Sequence, residues 1–293
     1  MNVRLSLAVA SIALLFGTGH ASAQLGGGGA DEEQGAASEE GAEEIGKDFN
    51  PGELDIDSGM ALFQEEGSNG KSCASCHGDE GEDLEGAATK FPKVVDDVYP
   101  VGDSSGPDVV NKGETQGEEL NPNKAIEGEG VRTLEMQINL CRTENMDAEP
   151  WSFSQKHGED MRHMTIFVKS LSNGEPLDIA TDGDAKEYWE KGKEYYWMKR
   201  GQLNFSCGTC HVQNSGMRLR GQELSEVRGQ YTKFPTFRMK QQQTRLTHTR
   251  YRGCNRQVRA HDLPFQHEAY RALEVYHGSL SNGEELRVPG HSL

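Results

Sequence analysis

Cys207-Gly-Thr-Cys-His211 is the stretch whose reading decides the fold. C-x-x-C-H is the pattern through which a c-type haem is attached: two thiols add across the vinyl groups, and the adjacent histidine binds iron from one side. Both sulfurs must reach one porphyrin edge while the imidazole swings beneath it, which sets the spacing. A second copy, Cys73-Ala-Ser-Cys-His77, lies earlier. A thiolate metal ribbon would need four nearby ligands per metal and would leave the histidine after each pair unexplained. Two covalently bound haem c groups are therefore expected, on Cys73 and Cys76 and on Cys207 and Cys210, with His77 and His211 as proximal iron ligands.

Other features repeat in the same order. Cys141 follows the first motif and Cys254 the second; Lys90-Phe-Pro92 answers Lys233-Phe-Pro235; Ser170-Leu-Ser-Asn-Gly-Glu-Pro-Leu177 answers Ser279-Leu-Ser-Asn-Gly-Glu-Glu-Leu286. The offsets differ, 134 residues for the haem motifs, 113 for the lone cysteines and 109 for the closing stretch, so loops have diverged while order held. The expected fold is mainly α, two duplicated cytochrome c-like haem domains with extensive loops, over 51–180 and 181–293 with a boundary near 178–184. Helices are expected over Asp57–Glu66, over 157–171 with Met161, Met164, Phe167, Val168 and Leu171 at helical spacing, after Asp184 as far as Gly201, and through Ala269, Leu273, Tyr276 and Leu280. Residues 81–130, rich in Gly, Pro, Asn and Asp, read as loop, and Val131–Leu140 as a short apolar-containing stretch ending at Cys141.

Ahead of this, Met1-Asn-Val-Arg4, an apolar run from Leu5 to Gly17 and Ala21-Ser-Ala23 read as a secretory signal peptide over 1–23. The apolar run is too short for a membrane span. Export to the periplasm is expected, where oxidised cysteines persist. Residues 24–50 carry no apolar period and read as a disordered acidic leader, with eight carboxylates and one lysine between Asp31 and Asp48. Net charge is −17, yet from Lys199 to Arg259 thirteen basic residues face only Glu223 and Glu226. On an exported haem protein such a run suits a small anionic substrate better than nucleic acid.

Cys141 and Cys254 decide the function. An oxidising compartment favours a disulfide between them. Repeated positions instead favour one local role each, as a thiolate opposite the histidine of its own haem. The other candidates for that face are Met146, Met161, Met164, Met217, Met239, His157, His163, His261 and His267. Arg250 stands four residues before Cys254, where it would stabilise a thiolate and hold an oxyanion. Gln137 has that place before Cys141, so the two sites differ.

Cys73/Cys76/His77 with Cys141, Cys207/Cys210/His211 with Cys254, and Arg250 in R-x-x-x-C resemble the SoxA family over residues 54–293, in its dihaem form. That family is the larger haem subunit of the SoxAX thiosulfate-oxidising complex. The resemblance implies an L-cysteine S-thiosulfotransferase that joins thiosulfate oxidatively to a cysteine of the carrier protein SoxYZ. Electrons would pass through haem to the monohaem partner SoxX and on to a soluble cytochrome c. It implies Cys254 as active-site residue and distal ligand of the second haem, often found as a persulfide, Arg250 as substrate-binding cation, and Cys141 as distal ligand of the first haem. The competing readings are a dihaem electron carrier with His/Met ligation, a dihaem peroxidase with one open distal position, and a scaffold subunit in which haem serves stability alone.

Overall fold

Residues 50–96, 130–219 and 221–292 are described by the computed structural model. The helices are α1 (Leu54–Gln64), α2 (Ala74–His77), α3 (Leu134–Met146), α4 (Glu159–Ser170), α5 (Ala185–Trp197), α6 (Thr247–Gln257) and α7 (Glu268–Ser279). The strands are short: β1 (Lys93–Val95) pairs with β2 (Gly130–Arg132), and β3 (Arg218–Leu219) with β4 (Gln222–Glu223). β5 (Thr236–Arg238) lies between antiparallel β6 (Gln243–Arg245) and parallel β7 (Gly290–Ser292). The fold is mainly α with long irregular connections. The signal peptide and, apart from Asn50, the acidic leader lie outside the described residues, as does 97–129 of the expected loop.

Two helix pairs form the frame, and each crosses at a glycine. A Cβ on Gly59 of α1 would sit 2.6 Å from Phe167 Cβ of α4; one on Gly192 of α5 would sit 2.8 Å from Tyr276 Cβ of α7. Glycine inside a helix costs about 1 kcal/mol relative to alanine, so its presence at both crossings marks close backbone approach. The apolar stripe of α4 faces inward as its spacing predicts, with Met161, Met164, Phe167 and Val168 all buried. Around the second crossing, Tyr276 meets Trp189 and Tyr196 with ring centres 5.2 and 5.3 Å apart. Buried apolar side chains of both halves, from Phe63 and Met164 to Tyr231, Leu246 and Leu286, belong to one continuous core.

Three boundaries depart from the sequence expectation. α1 begins at Leu54 because Asn50 caps a 3-10 turn over Pro51–Glu53, accepting from Gly52 N, while its amide donates to Pro289 O at 2.6 Å. The stretch expected to end at Cys141 is α3, capped by the Thr133 hydroxyl on Met136 N, and it runs through Cys141 to Met146. There Asp147 turns left-handed at φ 49°. α6, which carries Cys254, has no sequence counterpart at all. Its sequence Thr-His-Thr-Arg-Tyr-Arg-Gly-Cys-Asn-Arg-Gln holds no apolar period, and the side chains it buries are mostly polar, including His248, Thr249, Arg252 and Asn255.

The repeated closing stretches bond to each other about a local two-fold. Gly174 N donates to Leu286 O and Gly283 N to Leu177 O, both at 2.9 Å; Leu177 N donates to Glu284 O and Leu286 N to Glu175 O, both at 3.0 Å. The asparagines complete the symmetry. Asn173 accepts from Val288 N at 2.8 Å and donates to Val288 O at 2.7 Å; Asn282 accepts from Ile179 N at 3.0 Å and donates to Ile179 O at 2.9 Å. Each partner lies 109 residues from its counterpart, the offset of the motif itself. The next bonds keep the pattern, Asp178 N to Thr89 O and Arg287 N to Thr232 O. Both Phe–Pro bonds of the repeated Lys-Phe-Pro triplets are cis.

Candidate functional site

Each C-x-x-C-H turn is clamped by a reciprocal pair of hydroxyl–amide bonds. In the first, Ser72 N donates to Ser75 Oγ and Ser75 N to Ser72 Oγ, both at 3.1 Å. In the second, Ser206 N donates to Thr209 Oγ1 at 3.2 Å and Thr209 N to Ser206 Oγ at 3.0 Å. The hydroxyls satisfy amides that a helix start leaves without partners, so the backbone between the cysteines is locked into one tight turn. The signal was present as a hydroxyl immediately before each cysteine, spaced S-x-x-[S/T]. In the second turn Gly208 lies under the Trp197 ring.

α6 delivers Cys254 against His211. Arg250, one turn earlier, shares its face, because residues four apart stack on a helix. Burial pushes the Cys254 thiol up, but the Arg250 charge, the hydrogen bond and charge of His211 and the Arg238 charge outweigh it and hold the thiol at about 7. The attachment thiols go the other way. Burial raises Cys207 to about 11, with Arg200 opposing and Cys254 adding to the rise, and burial together with Cys254 also raises Cys210. One sulfur of the three is thus the anionic one. Arg238 has no sequence signal beyond membership of the basic run; β5 brings it there, held by Gln222 Oε1 at 3.0 Å and Gln241 Oε1 at 3.2 Å.

Behind His211 stands a polar row that sequence reasoning also misses. His211 Nδ1 lies 2.9 Å from Ser225 O and 2.7 Å from the Gln230 amide; Gln230 Oε1 lies 3.2 Å from His277 Nε2, whose Nδ1 is 2.9 Å from Tyr251 OH. Such partners on Nδ1 fix the ring plane and leave Nε2 for a metal.

At the first site α3 repeats the arrangement with glutamine in the place of the arginine. Gln137 donates to Cys141 Sγ at 3.4 Å and accepts from Arg132 Nη1 at 3.1 Å. Arg142, next to Cys141, stacks on Trp151 at 3.6 Å and donates to Glu149 O. Burial, with Cys141 adding, raises the Cys73 thiol to about 11. His77 is half-buried at the end of its turn. Cys141 and Cys254 are both free thiols.

The remaining candidates go elsewhere. Met146 packs on Cys73, sulfur to sulfur at 3.8 Å; Met161 and Met164 are core; Met217 and Met239 are exposed. His163 pairs with Asp55 at 3.4 Å, His267 caps α7 on Ala269 N, and His157 and His261 are exposed. The basic run is also less unopposed than its sequence suggests. Asp262 takes both Arg252 and Arg256 at 2.8 Å, and Glu284 takes Arg228 at 2.6 Å. Around the second turn Trp197, Phe205, Val212, Met217 and Leu219 leave apolar side chains exposed, a surface that suits a porphyrin and little else among cofactors attached by C-x-x-C-H.

A family model described as SoxA/TsdA, cytochrome c domain, matches residues 58–106 and 122–177, the segment holding the first attachment motif and Cys141. L-cysteine S-thiosulfotransferase subunit SoxA of Rhodovulum sulfidophilum is 33% identical over 241 residues, 82% of this chain and 72% of that one. The protein of the same name from Pseudaminobacter salicylatoxidans is 36% identical over 242 residues, with the same two coverages. The chain belongs to the SoxA family. A crystal structure of SoxXA from P. pantotrophus superposes with TM-score 0.67 at 29% identity, covering 83% of this chain and 79% of that one. As a SoxA-family cytochrome, the protein binds haem c covalently. Among the described residues no helix is long and apolar enough to cross a membrane.

Proposed function

We propose that this SoxA-family chain is the haem subunit of a periplasmic L-cysteine S-thiosulfotransferase. Two haem c groups would be held, one by Cys73 and Cys76 with His77 and Cys141 toward its iron, the other by Cys207 and Cys210 with His211 and Cys254. The halves 51–180 and 181–293 are taken as the two haem domains and 1–23 as the export signal. A SoxX-type monohaem subunit is the proposed partner, which the likeness to a SoxXA structure supports. A SoxYZ-type carrier is the thiol substrate and a soluble cytochrome c the final acceptor.

The observation that carries the reading is one face of α6, where Arg250 and Cys254 stand together against His211 with Arg238 alongside. Bound haem supplies a one-electron acceptor beside the sulfur. The chain's own residues do the rest. Arg250 and Arg238 hold the thiosulfate dianion, lowering the Coulomb cost of bringing it to a thiolate. Cys254 as thiolate forms an S–S bond to the sulfane sulfur, and the two electrons released leave one at a time to the proposed partner subunit and on to the soluble cytochrome c. The carrier thiolate then attacks that sulfane sulfur, the bond to Cys254 breaks, and Cys254 leaves as thiolate. The low thiol pKa makes Cys254 the better leaving group. At the first site Gln137 offers no charge to an anion, which suits that haem to electron transfer.

With haem-loaded chain, partner subunit, carrier and thiosulfate, Arg250→Ala should leave haem content unchanged and lower formation of the carrier adduct, followed by mass spectrometry, by about a hundredfold, the scale of losing one charged transition-state contact. Adduct formation at the unaltered rate would remove Arg250 from the site.

A further inference from the structure

The opposite side of α6 carries a second cationic site. Arg250 and Cys254 lie on one face; Thr249, Arg252 and Arg256, spaced i, i+3 and i+7, lie on another, roughly 150° round the helix at 3.6 residues per turn. Those three, with Gln155, Arg245 and Phe265, line a cavity of about 220 Å³. Three guanidinium groups face it against one carboxylate, because Asp262 serves Arg252 and Arg256 together at 2.8 Å. Arg245 has no hydrogen-bond or ion-pair partner among the described residues. Arg162 stands close enough to repel it and is itself turned to Gln155 O at 2.9 Å. Arg252 is 6% exposed, with its guanidinium over the Phe265 ring at 4.4 Å.

The second observation is the Thr249 hydroxyl. Thr249 is 7% exposed, lines the cavity and has no hydrogen-bond partner for Oγ1. A buried hydroxyl left unpaired costs about 1–3 kcal/mol, so the fold retains a donor aimed at empty space unless something accepts from it. Arg245 likewise has fork donors to spare. The surplus of two positive charges calls for a dianion. The volume, about seven times water's share of the liquid, takes a tetrahedral ion with a few waters and excludes anything nucleotide-sized.

We infer that the pocket formed by Arg245, Thr249, Arg252 and Arg256 is a second oxyanion site, which binds a small tetrahedral dianion of the sulfate or thiosulfate class on the side of α6 away from Cys254. The anion accepts from the Thr249 hydroxyl and from Arg245, and relieves the repulsion between Arg245 and its neighbours. By bracing the rear of α6 it steadies the helix that presents Arg250 and Cys254. The site stands on its own residues and does not depend on the transferase reading.

The test is calorimetric titration of the haem-loaded full chain in an Arg250→Ala background, which weakens anion binding at Cys254. Sulfate, thiosulfate and phosphate are titrated separately at low ionic strength, with nitrate as the monoanion control. Saturable binding of about one dianion per chain is expected, with nitrate at least about tenfold weaker. Thr249→Val, which keeps shape and removes only the hydroxyl, and Arg245→Gln should each weaken it about tenfold, with far-ultraviolet circular dichroism and haem absorption unchanged. Which of the three dianions binds tightest names the natural occupant. Affinity unaltered in Thr249→Val and Arg245→Gln overturns the inference, as does absence of saturable binding in the Arg250→Ala chain. If Arg245→Gln fails to fold, Thr249→Val alone decides the matter.

Discussion

Replacing Asn173 with alanine should loosen the joint between the two halves, and its cost can be worked from two bonds. The side chain accepts from Val288 N at 2.8 Å and donates to Val288 O at 2.7 Å. Val288 is 4% exposed, so water does not take over either group. An unpaired buried backbone group costs about 1–3 kcal/mol, which gives about 2–6 kcal/mol for the pair. For a folded unit of this size about 1 kcal/mol corresponds to about 2–4 °C in melting temperature, so a fall of about 4–24 °C is expected. Asn282→Ala removes the matching bonds to Ile179, which is 2% exposed, and should cost the same within about 1 kcal/mol. Thermal and denaturant unfolding of the haem-loaded chain, followed by Soret absorption and circular dichroism together, measures both. A loss below about 0.5 kcal/mol in either variant, the usual size of a neutral surface change, would refute the claim that the two motifs clasp each other.

Two further outcomes follow. Burial, with His211 adding and Glu274 opposing, holds the buried His277 at about 3, below its ordinary value near 6.5. The unfolded chain therefore binds a proton that the folded chain refuses between about pH 6.5 and 3. Stability should fall as pH drops through that window, by at most about 1.4 kcal/mol per pH unit, and His277→Gln should flatten this limb; an acid limb of the same slope in the variant would show that His277 is not its source. Cys141→Ser should change the electron paramagnetic resonance signature of one haem and leave that of the other intact. A spectrum identical to the parent would remove Cys141 from the first iron.

Some of this architecture was open to reading along the chain, because its determinants are close in sequence. Haem attachment needs two thiols and an imidazole within five residues, so both motifs declare themselves. The Met161, Met164, Phe167, Val168 spacing places α4 to within two residues at each end, since an apolar stripe is what that helix buries. The repeat of Ser-Leu-Ser-Asn-Gly-Glu betrays the duplication. The placement of Arg250 four residues before Cys254 becomes meaningful as soon as the segment is helical.

That helicity was not itself legible. α6 buries His, Arg and Asn side chains through hydrogen bonds to groups outside the helix, and polar burial leaves no hydrophobic period to detect. The same holds for Arg238, which reaches the Cys254 site only because β5 pairs with β6 and β7. Asp262 and Glu284 neutralise arginines that the linear charge count leaves unopposed. The sequence by itself determined the covalent chemistry and the repeat, since both rest on local spacing. Only the tertiary structure decided which cations gather round which sulfur, and that the two closing motifs grip each other. Fields and backbone pairing join residues far apart in the chain, and their geometry exists only once the helices have packed.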